Sequence, residues 1–249
     1  MAASSEGGHR HRDDPGSGDP RRRTHRGEHR LPPAAAVVVA AVVYVLLPSS
    51  LTVGPRYVVP TIEGALLIAL VVTNPRRLVR QTRWSRWVSV ALGALMVLAN
   101  LVSLGLLVAT VADPKASGGS LLVAAMQVWL TNVIGFALLY WELDRGGPVA
   151  RHELARPDLP PADFRFSHDE DDDTVEEVRR GSSQVAGWVP VFVDYLYVSL
   201  TNSSAFSPTD TMPLTSRAKM LMGLEATAAL LTSLIVVSRA VGSLGGGGG

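Results

Sequence analysis

Three acidic side chains stand inside stretches of this sequence that are otherwise apolar enough for a membrane interior: Glu63, Asp194 and Glu225. A charged side chain at membrane depth is costly unless it is paired or hydrated, so such a residue usually marks a functional position. Glu63 and Glu225 lie within about two turns of predicted helix ends, so capping or extension toward the membrane surface is the structural alternative. The sequence leaves both interpretations open for these acids.

Uncharged polar residues also occur within the apolar stretches, at Asn100, Gln127 and Asn132. Amide side chains in membrane helices commonly form hydrogen bonds to neighbouring helices. We therefore expect these three residues to hold a helix bundle together, and a transport path is the alternative.

A stretch rich in small hydroxyl side chains, TNSSAFSPTDTMPLT, covers residues 201–215. Hydroxyl groups beside an aromatic ring would suit a hydrated, pore-lining loop, but the same residue types form ordinary turns and helix caps. Both a pore loop and a polar turn between two helices remain open. The candidate pore-lining residues are Thr201, Ser203, Ser204, Phe206, Ser207, Thr209 and Asp210.

Residues for an enzyme or metal centre do not come together in the sequence. The chain has no cysteine, its histidines lie in the polar segments, and no phosphate-binding loop or nucleophile elbow occurs. Asp169, Asp171 and Asp173 resemble the opening of a calcium loop, but Thr174 and Arg180 replace the glycine and glutamate that such a loop needs. We expect no enzymatic activity, no metal and no cofactor.

Charged and apolar residues are segregated along the chain, and this segregation predicts the helices that carry the residues above. Charges concentrate in residues 1–33 and 142–187, and the segments between and after them are long apolar runs typical of membrane spans. The predicted spans cover residues 34–47, 57–73, 88–112, 121–141 and 217–241. The predicted organisation is a disordered basic tail (1–33), a four-helix transmembrane region (34–142), a polar cytoplasmic linker (143–187), a helix-loop-helix (188–241) and a glycine-rich tail (242–249). The fold class is thus all-α, a polytopic transmembrane helix bundle.

Arginine and tryptophan alternate between the second and third predicted spans. Arginines at such a position bind lipid phosphates and indole rings lie at headgroup level, so we expect an interfacial segment and no nucleic-acid partner. The residues expected at the headgroups are Arg76, Arg80, Arg83, Trp84 and Trp87.

The distribution of basic residues predicts the orientation. Seven arginines lie in residues 1–33, five in 74–87 and six in 142–187, whereas each alternate turn carries one basic residue. Because basic loops stay inside, the N-terminus is expected in the cytoplasm and the protein in the cell (inner) membrane. If residues 188–205 cross the bilayer, the chain has six spans. If they enter and leave on one side, it has five spans and a re-entrant segment, which the charge distribution favours because Arg217 and Lys219 then stay inside.

The last fifth of the chain resembles the pore module of tetrameric potassium-type channels. DTMPLT (210–215) resembles the sequence after such filters, Tyr195 to Thr201 takes the place of the pore helix, and SRAK, GLEA and SRAV resemble the inner helix. The filter signature is missing, since AFSPT replaces TVGYG at residues 205–209. The AFSPTDTMPLT stretch also resembles an uncharacterised class of actinobacterial integral membrane proteins. The channel likeness implies a homo-oligomeric ion channel or transport protein with a degenerate pore loop. The alternative is a non-transporting membrane protein that acts through protein or lipid contacts.

Overall fold

The structure is a computed structural model that describes residues 27–73, 82–111, 118–170, 175–205 and 210–245. Helices dominate it, as predicted, because long apolar runs satisfy their backbone groups most simply within a helix. The helices are α1 (Leu31–Leu46), α2 (Val58–Thr73), α3 (Arg83–Val111), α4 (Gly118–Leu143), α5 (Pro148–Glu153), α6 (Glu176–Arg179), α7 (Phe192–Ala205) and α8 (Ser216–Gly245). Two short strands, β1 (Phe164–Arg165) and β2 (Met212–Pro213), pair antiparallel.

Three helices of the described chain are long and apolar enough to cross a membrane, over Arg83–Val111, Gly119–Gly146 and Ser216–Arg239. α1 and α2 are apolar but have 16 residues each. A helix of that length spans about 24 Å, less than the hydrocarbon thickness of about 30 Å. The three long helices correspond to the third, fourth and last predicted spans.

Helix α4 lies at the centre of the bundle, between α1, α3, α7 and α8. Its side chains at Phe136, Ala137 and Tyr140 are completely buried. Two glycines bring α3 close to α4, because an added Cβ at Gly93 or Gly135 would already lie 3.4–3.5 Å from the facing helix. This central helix therefore carries the surfaces on which the other elements are arranged.

Three contacts between helix termini show how the helices alternate in direction. Arg30, at the start of α1, donates to the Leu70 carbonyl near the end of α2. Arg86, in the first turn of α3, donates to the Gly146 carbonyl after α4, and Arg239 donates to the Val111 carbonyl at the end of α3. The starts of α1, α3 and α8 and the ends of α2 and α4 therefore share one end of the bundle, here called the linker end.

Helix α7 enters the bundle at the linker end, and the chain returns to the same end. Near its start, the Tyr195 hydroxyl donates to Asp144 at the end of α4 (2.6 Å). Near its tip, the Asn202 amide donates to the Met222 carbonyl, six residues into α8 (3.0 Å). The chain then reaches Met212, which pairs with Arg165 of the linker. The start of α7 and the start of α8 therefore both lie at the linker end of the bundle.

Residues 143–187, predicted as a polar linker, form in their described part a folded cap on the linker end. Phe164 and Arg151 are fully buried within it. Two acidic residues of the cap have partners on the long helices, since Asp144 accepts from Tyr195 of α7 and Asp163 accepts from Arg217 of α8. Residues 171–174, which include Asp171, Asp173 and Thr174 of the sequence that resembles a calcium loop, lie outside the described residues.

The tails also differ from their predicted bounds. Residues 27–33, assigned to the disordered tail, are ordered: Glu28 and Arg30 are buried and α1 begins at Leu31. At the other terminus α8 continues to Gly245, past the predicted start of the glycine-rich tail. The predictions for residues 1–26 and 246–249 lie outside the described residues.

Candidate functional site

Glu225 lies in the middle of the protein with its carboxylate surrounded by hydrogen-bond donors. The residue is 0% exposed. The Tyr140 hydroxyl donates to Oε2 at 2.6 Å and the Asn202 amide donates to the same oxygen at 2.7 Å. The Ser203 hydroxyl donates to Oε1 at 3.2 Å, and the Ser199 hydroxyl donates to it as well. Glu225 therefore neither caps its helix nor extends to a surface.

The helical spacing of α7 places three of these donors on one face. Ser199, Asn202 and Ser203 are three and four residues apart, so they lie on the side of α7 that packs against α8. Ser203 was among the predicted pore-lining residues, whereas Ser199, Asn202 and Tyr140 were missed as partners of the acid. The spacing of polar residues on α7 was the signal that could have found two of them.

The charge of Glu225 has no counter-charge from the described part of the chain. Its four side-chain partners are all neutral hydroxyl or amide groups. Such groups replace water around a buried carboxylate, and hydroxyl and amide oxygens can also turn to coordinate a cation. The arrangement is therefore able to hold a proton or a small cation at Glu225.

A chain of polar side chains leads from Glu225 across α4 to α3. The Asn132 amide lies 3.4 Å from the Glu225 carbonyl oxygen. The Asn100 side-chain amide donates to the side-chain oxygen Oδ1 of Asn132 at 3.0 Å, and the Thr131 hydroxyl donates to Oδ1 of Asn100 at 2.6 Å. The predicted interhelical hydrogen bonds of Asn100 and Asn132 are thus confirmed. Gln127, predicted with them, has its buried Oε1 atom without a hydrogen-bond partner.

Glu63 lies beyond this chain, on α2, and is 3% exposed. Its Oε2 atom is buried and has no hydrogen-bond partner. The residue lines a small pocket of about 240 Å³, counting its opening, together with Tyr44, Asn100 and Thr131. Glu63 therefore lies inside the bundle, at a pocket that it shares with two members of the chain leading to Glu225.

Together these side chains form what we call the polar row. It is hydrogen-bonded from the tip of α7 to Asn100 and Thr131, and Glu63 lines the same small pocket as these last two residues. Its members are Ser199, Asn202, Ser203, Tyr140, Glu225, Asn132, Asn100, Thr131 and Glu63.

No protein-family model, curated protein or solved structure matches this chain. Its chemistry is therefore inferred from its own residues and contacts.

The other predicted acid and pore-loop residues lie elsewhere on α7, after it, or outside the described chain. Asp194 accepts a hydrogen bond from the Val191 N–H (2.7 Å), so it stabilises the first turn of α7. Thr201 bonds back to carbonyls of its own helix, and Ser204 is exposed. Asp210 is exposed and accepts from the Tyr197 hydroxyl at 3.2 Å. Phe206, Ser207 and Thr209 lie outside the described residues.

Of the predicted headgroup residues, three lie in the described part of the chain and two do not. Trp84 and Trp87 are 56% and 75% exposed in the first turns of α3, and Arg83 is exposed beside them. Arg76 and Arg80 lie outside the described residues.

A second buried cluster, which sequence analysis missed, joins the cap to α4 and α7. The fully buried Asp144 carboxylate accepts from the Asp163 N–H (2.7 Å) and the Tyr195 hydroxyl (2.6 Å). Arg151, also 0% exposed, donates to the carbonyls of Trp141 (2.7 Å) and Asp144 (2.9 Å) and lies 4.9 Å from the centre of the Tyr195 ring. This cluster fixes the start of α7 relative to α4.

Glu28 extends the cluster to the N-terminal segment. Its carboxylate accepts from the Trp141 indole N–H (2.9 Å) and from the Phe192 N–H at the start of α7 (2.6 Å). It also lies 4.0 Å from the Arg151 guanidinium. The segment before α1 therefore takes part in holding α7.

One carboxylate on the cap has a pKa displaced by its partners. Burial raises the pKa of Asp169, but the hydrogen bond from the Ser183 hydroxyl (2.7 Å) and the guanidinium of Arg145 outweigh it and hold that pKa below its ordinary value. Asp169 therefore stabilises the cap as an anion.

Among the described residues, no group of three or more histidine, aspartate or glutamate side chains lies close enough to hold a metal ion.

Proposed function

We propose that this chain is a multi-pass membrane protein that moves a proton or a small cation along the polar row. The observation that carries this proposal is the pair of buried acids, Glu225 and Glu63, inside otherwise apolar helices. Amide and hydroxyl side chains are hydrogen-bonded in a chain that starts at Glu225, and the last two of them line the same small pocket as Glu63. Ionisable residues inside membrane bundles commonly mark ion pathways and proton relays. A purely structural hydrogen-bond network would not need a second buried carboxyl with an unpartnered oxygen.

The proposed topology has spans α1–α4 and α8, with α7 as a re-entrant helix. It is supported by the alternation of helix directions and by the return of the chain to the linker end after α7. α1 and α2 are short for a bilayer, and local thinning or flanking polar residues accommodate such helices. We place the linker end in the cytoplasm of the inner membrane, because it carries most of the basic residues.

The positions of the two acids along their helices place both of them well inside the bundle, at similar depths. Glu225 is nine residues into α8, about 13 Å from the linker end. Glu63 is ten residues before the last residue of α2, about 15 Å from the same end. The amides of Asn132 on α4 and Asn100 on α3 therefore lead across the bundle from one acid toward the other. In the proposed mechanism the tip of α7 admits the ion to Glu225, and the amide chain passes it toward Glu63.

The proposal keeps the channel likeness in a modified form. α7 is the counterpart of a pore helix and α8 that of an inner helix, and homo-oligomeric assembly would surround the tip of α7 with protein. No potassium filter is proposed, because residues 205–209 contain no glycine to supply the backbone conformations of such a filter.

Flux into liposomes that contain the purified full-length protein tests this function. Internal dyes for H⁺, Na⁺ and K⁺ should report entry of at least one of these ions. Glu225→Gln and Glu63→Gln should each lower that flux by about tenfold or more, since each removes a charge from the route. Thr227→Val is the matched control, because Thr227 is an exposed polar residue on the same helix as Glu225. Absence of flux for all three ions, or equal flux in all variants, would refute the proposal.

A second candidate function is favoured by the outer face of the cap. Val175, Val178 and Val185 are each about half exposed there, close together along the chain. Exposed apolar side chains on a soluble cap suit a protein contact. Two results together would support this second function: no flux in the liposome assay, and a partner protein that binds the cap of the wild type but not of Val178→Asp. The chain would then be a non-transporting membrane protein.

A further inference from the structure

A pocket separate from the polar row lies at the linker end, between the starts of α1 and α3 and the ends of α2 and α4. Its volume is about 650 Å³, counting the part open to solvent. Helix α5 of the cap contributes Pro148 and Val149 to its wall.

The rim of the pocket is cationic. Arg30 and Arg86 both line it, and both guanidinium groups are anchored by backbone carbonyls, at Leu70 and Gly146 respectively. Glu142 is the one carboxylate of the lining; it interacts electrostatically with Arg30 and Arg86 and forms a hydrogen bond with the Ser89 side chain. Two positive charges against one negative charge leave the rim suited to an anion, and guanidinium groups bind phosphate well.

The floor of the pocket is apolar. Val37, Leu92 and Leu138 are buried there, on α1, α3 and α4. Val37 lies seven residues after Arg30, which places it about 10 Å deeper along the bundle. The pocket thus has a cationic rim and an apolar floor. The distance between them matches the part of an acyl chain that lies nearest the headgroup.

We propose that this pocket binds an anionic phospholipid from the leaflet at the linker end. The phosphate lies between Arg30 and Arg86, and an acyl chain runs along Val37 and Leu92. Charge complementarity selects an anionic headgroup, and the apolar floor selects a lipid over a free phosphate. Basic pockets between membrane helices bind anionic headgroups in this manner. The proposal rests on the membrane placement proposed above and not on ion movement.

Lipid binding to the purified full-length protein in detergent tests the proposal. Native mass spectrometry and thermal unfolding would be followed during titration with phosphatidylglycerol, with phosphatidylcholine and with inorganic phosphate. We expect phosphatidylglycerol to bind and to raise the unfolding temperature, and the other two to do so much less. Arg86→Gln should weaken that binding by about tenfold, the worth of a hydrogen bond to a charged group.

Two further variants show whether lipid binding depends on the rim arginines, on the space inside the pocket or only on positive charge at the surface. Lys219→Gln removes an exposed positive charge near the start of α8, outside the pocket lining, and should bind the lipid like the wild type. Leu67→Trp fills the half-buried apolar side of the pocket and should lose binding although both rim arginines remain. Equal binding of phosphatidylcholine, full replacement of the lipid by inorganic phosphate, or equal effects of Lys219→Gln and Arg86→Gln would each overturn the proposal. Because this assay measures no flux, a protein that moves no ion could still bind the lipid.

Discussion

Replacing Glu225 by alanine should destabilise the protein far more than replacing Glu63. The alanine removes the acceptor of four buried donors: Tyr140, Ser199, Asn202 and Ser203. Ser199 and Asn202 each keep a second acceptor on a backbone carbonyl. Tyr140 and Ser203 lose the acceptor that the structure gives them. A stranded buried donor costs about 1–3 kcal/mol, so we expect Glu225→Ala to lower the free energy of unfolding by about 2–6 kcal/mol.

Glu63→Ala provides the contrast, since the Oε2 atom of Glu63 has no hydrogen-bond partner to lose. Removing a buried carboxyl that is not fully hydrogen-bonded offsets the loss of its packing, so we expect a change within about 1 kcal/mol. Tyr140→Phe adds a direct check on the Glu225 contact. In a double-mutant cycle with Glu225→Ala, the two changes should couple by about 1–3 kcal/mol because they remove the same hydrogen bond.

Unfolding of the detergent-solubilised variants, followed by helical circular dichroism against denaturant concentration, measures these differences. The same loss of stability in Glu225→Ala and Glu63→Ala would contradict the assignment of partners. Additive effects of Glu225→Ala and Tyr140→Phe would show that the two side chains are not bonded, and the polar row would then lose its best-defined member.

Two further outcomes follow from the cap. Gly146 has a positive φ of 82°, and an added Cβ would lie 2.9 Å from Pro160. Gly146→Ala should therefore destabilise the cap by about 1–3 kcal/mol, as measured by limited proteolysis. The control Gly105→Ala should leave the cap unchanged, because an added Cβ at Gly105 on α3 meets no other atom within 4 Å. The folded pKa of Asp169 lies below its unfolded value of about 3.9, so its contribution is complete above that pH and is lost as the pH falls through the lower folded value. Asp169→Asn should make the cap less stable at neutral pH and remove part of its acid sensitivity, and an unchanged acid profile would contradict the role of Arg145.

The helices were largely predictable from the sequence, because uninterrupted apolar runs leave few alternatives to a helix. The ends of α3, α4 and α8 fall within a few residues of the predicted bounds at most termini. The start of α3 differs most, at Arg83 instead of residue 88, because the interfacial arginines and tryptophans continue the helix. The interhelical amides Asn100 and Asn132 were predictable for the same reason, since polar residues inside such runs have few other partners.

The cap could not be predicted, because its charged residues have partners that are distant in sequence. Asp163 pairs with Arg217, 54 residues away, and Asp144 with Tyr195, 51 residues away. Glu28 reaches the Phe192 N–H over 164 residues. Each of these residues lies in a segment whose composition is typical of a solvated linker or tail. Its partner is brought near only when the chain folds.

The cap and the polar row depend on each other through α7. Asp144 and Glu28 hold the start of α7, through Tyr195 and the Phe192 N–H. Asp163 holds the returning chain, through the Thr215 hydroxyl at 2.5 Å and through Arg217. Helix α7 has 14 residues, and it is fixed near its start while the chain that follows it is also anchored. The tip of α7 can therefore shift little in depth, and its depth is what brings Ser203 to Glu225. The acidic residues of the linker therefore set the position of the buried acid's donors, although none of those linker residues touches Glu225 in the described contacts.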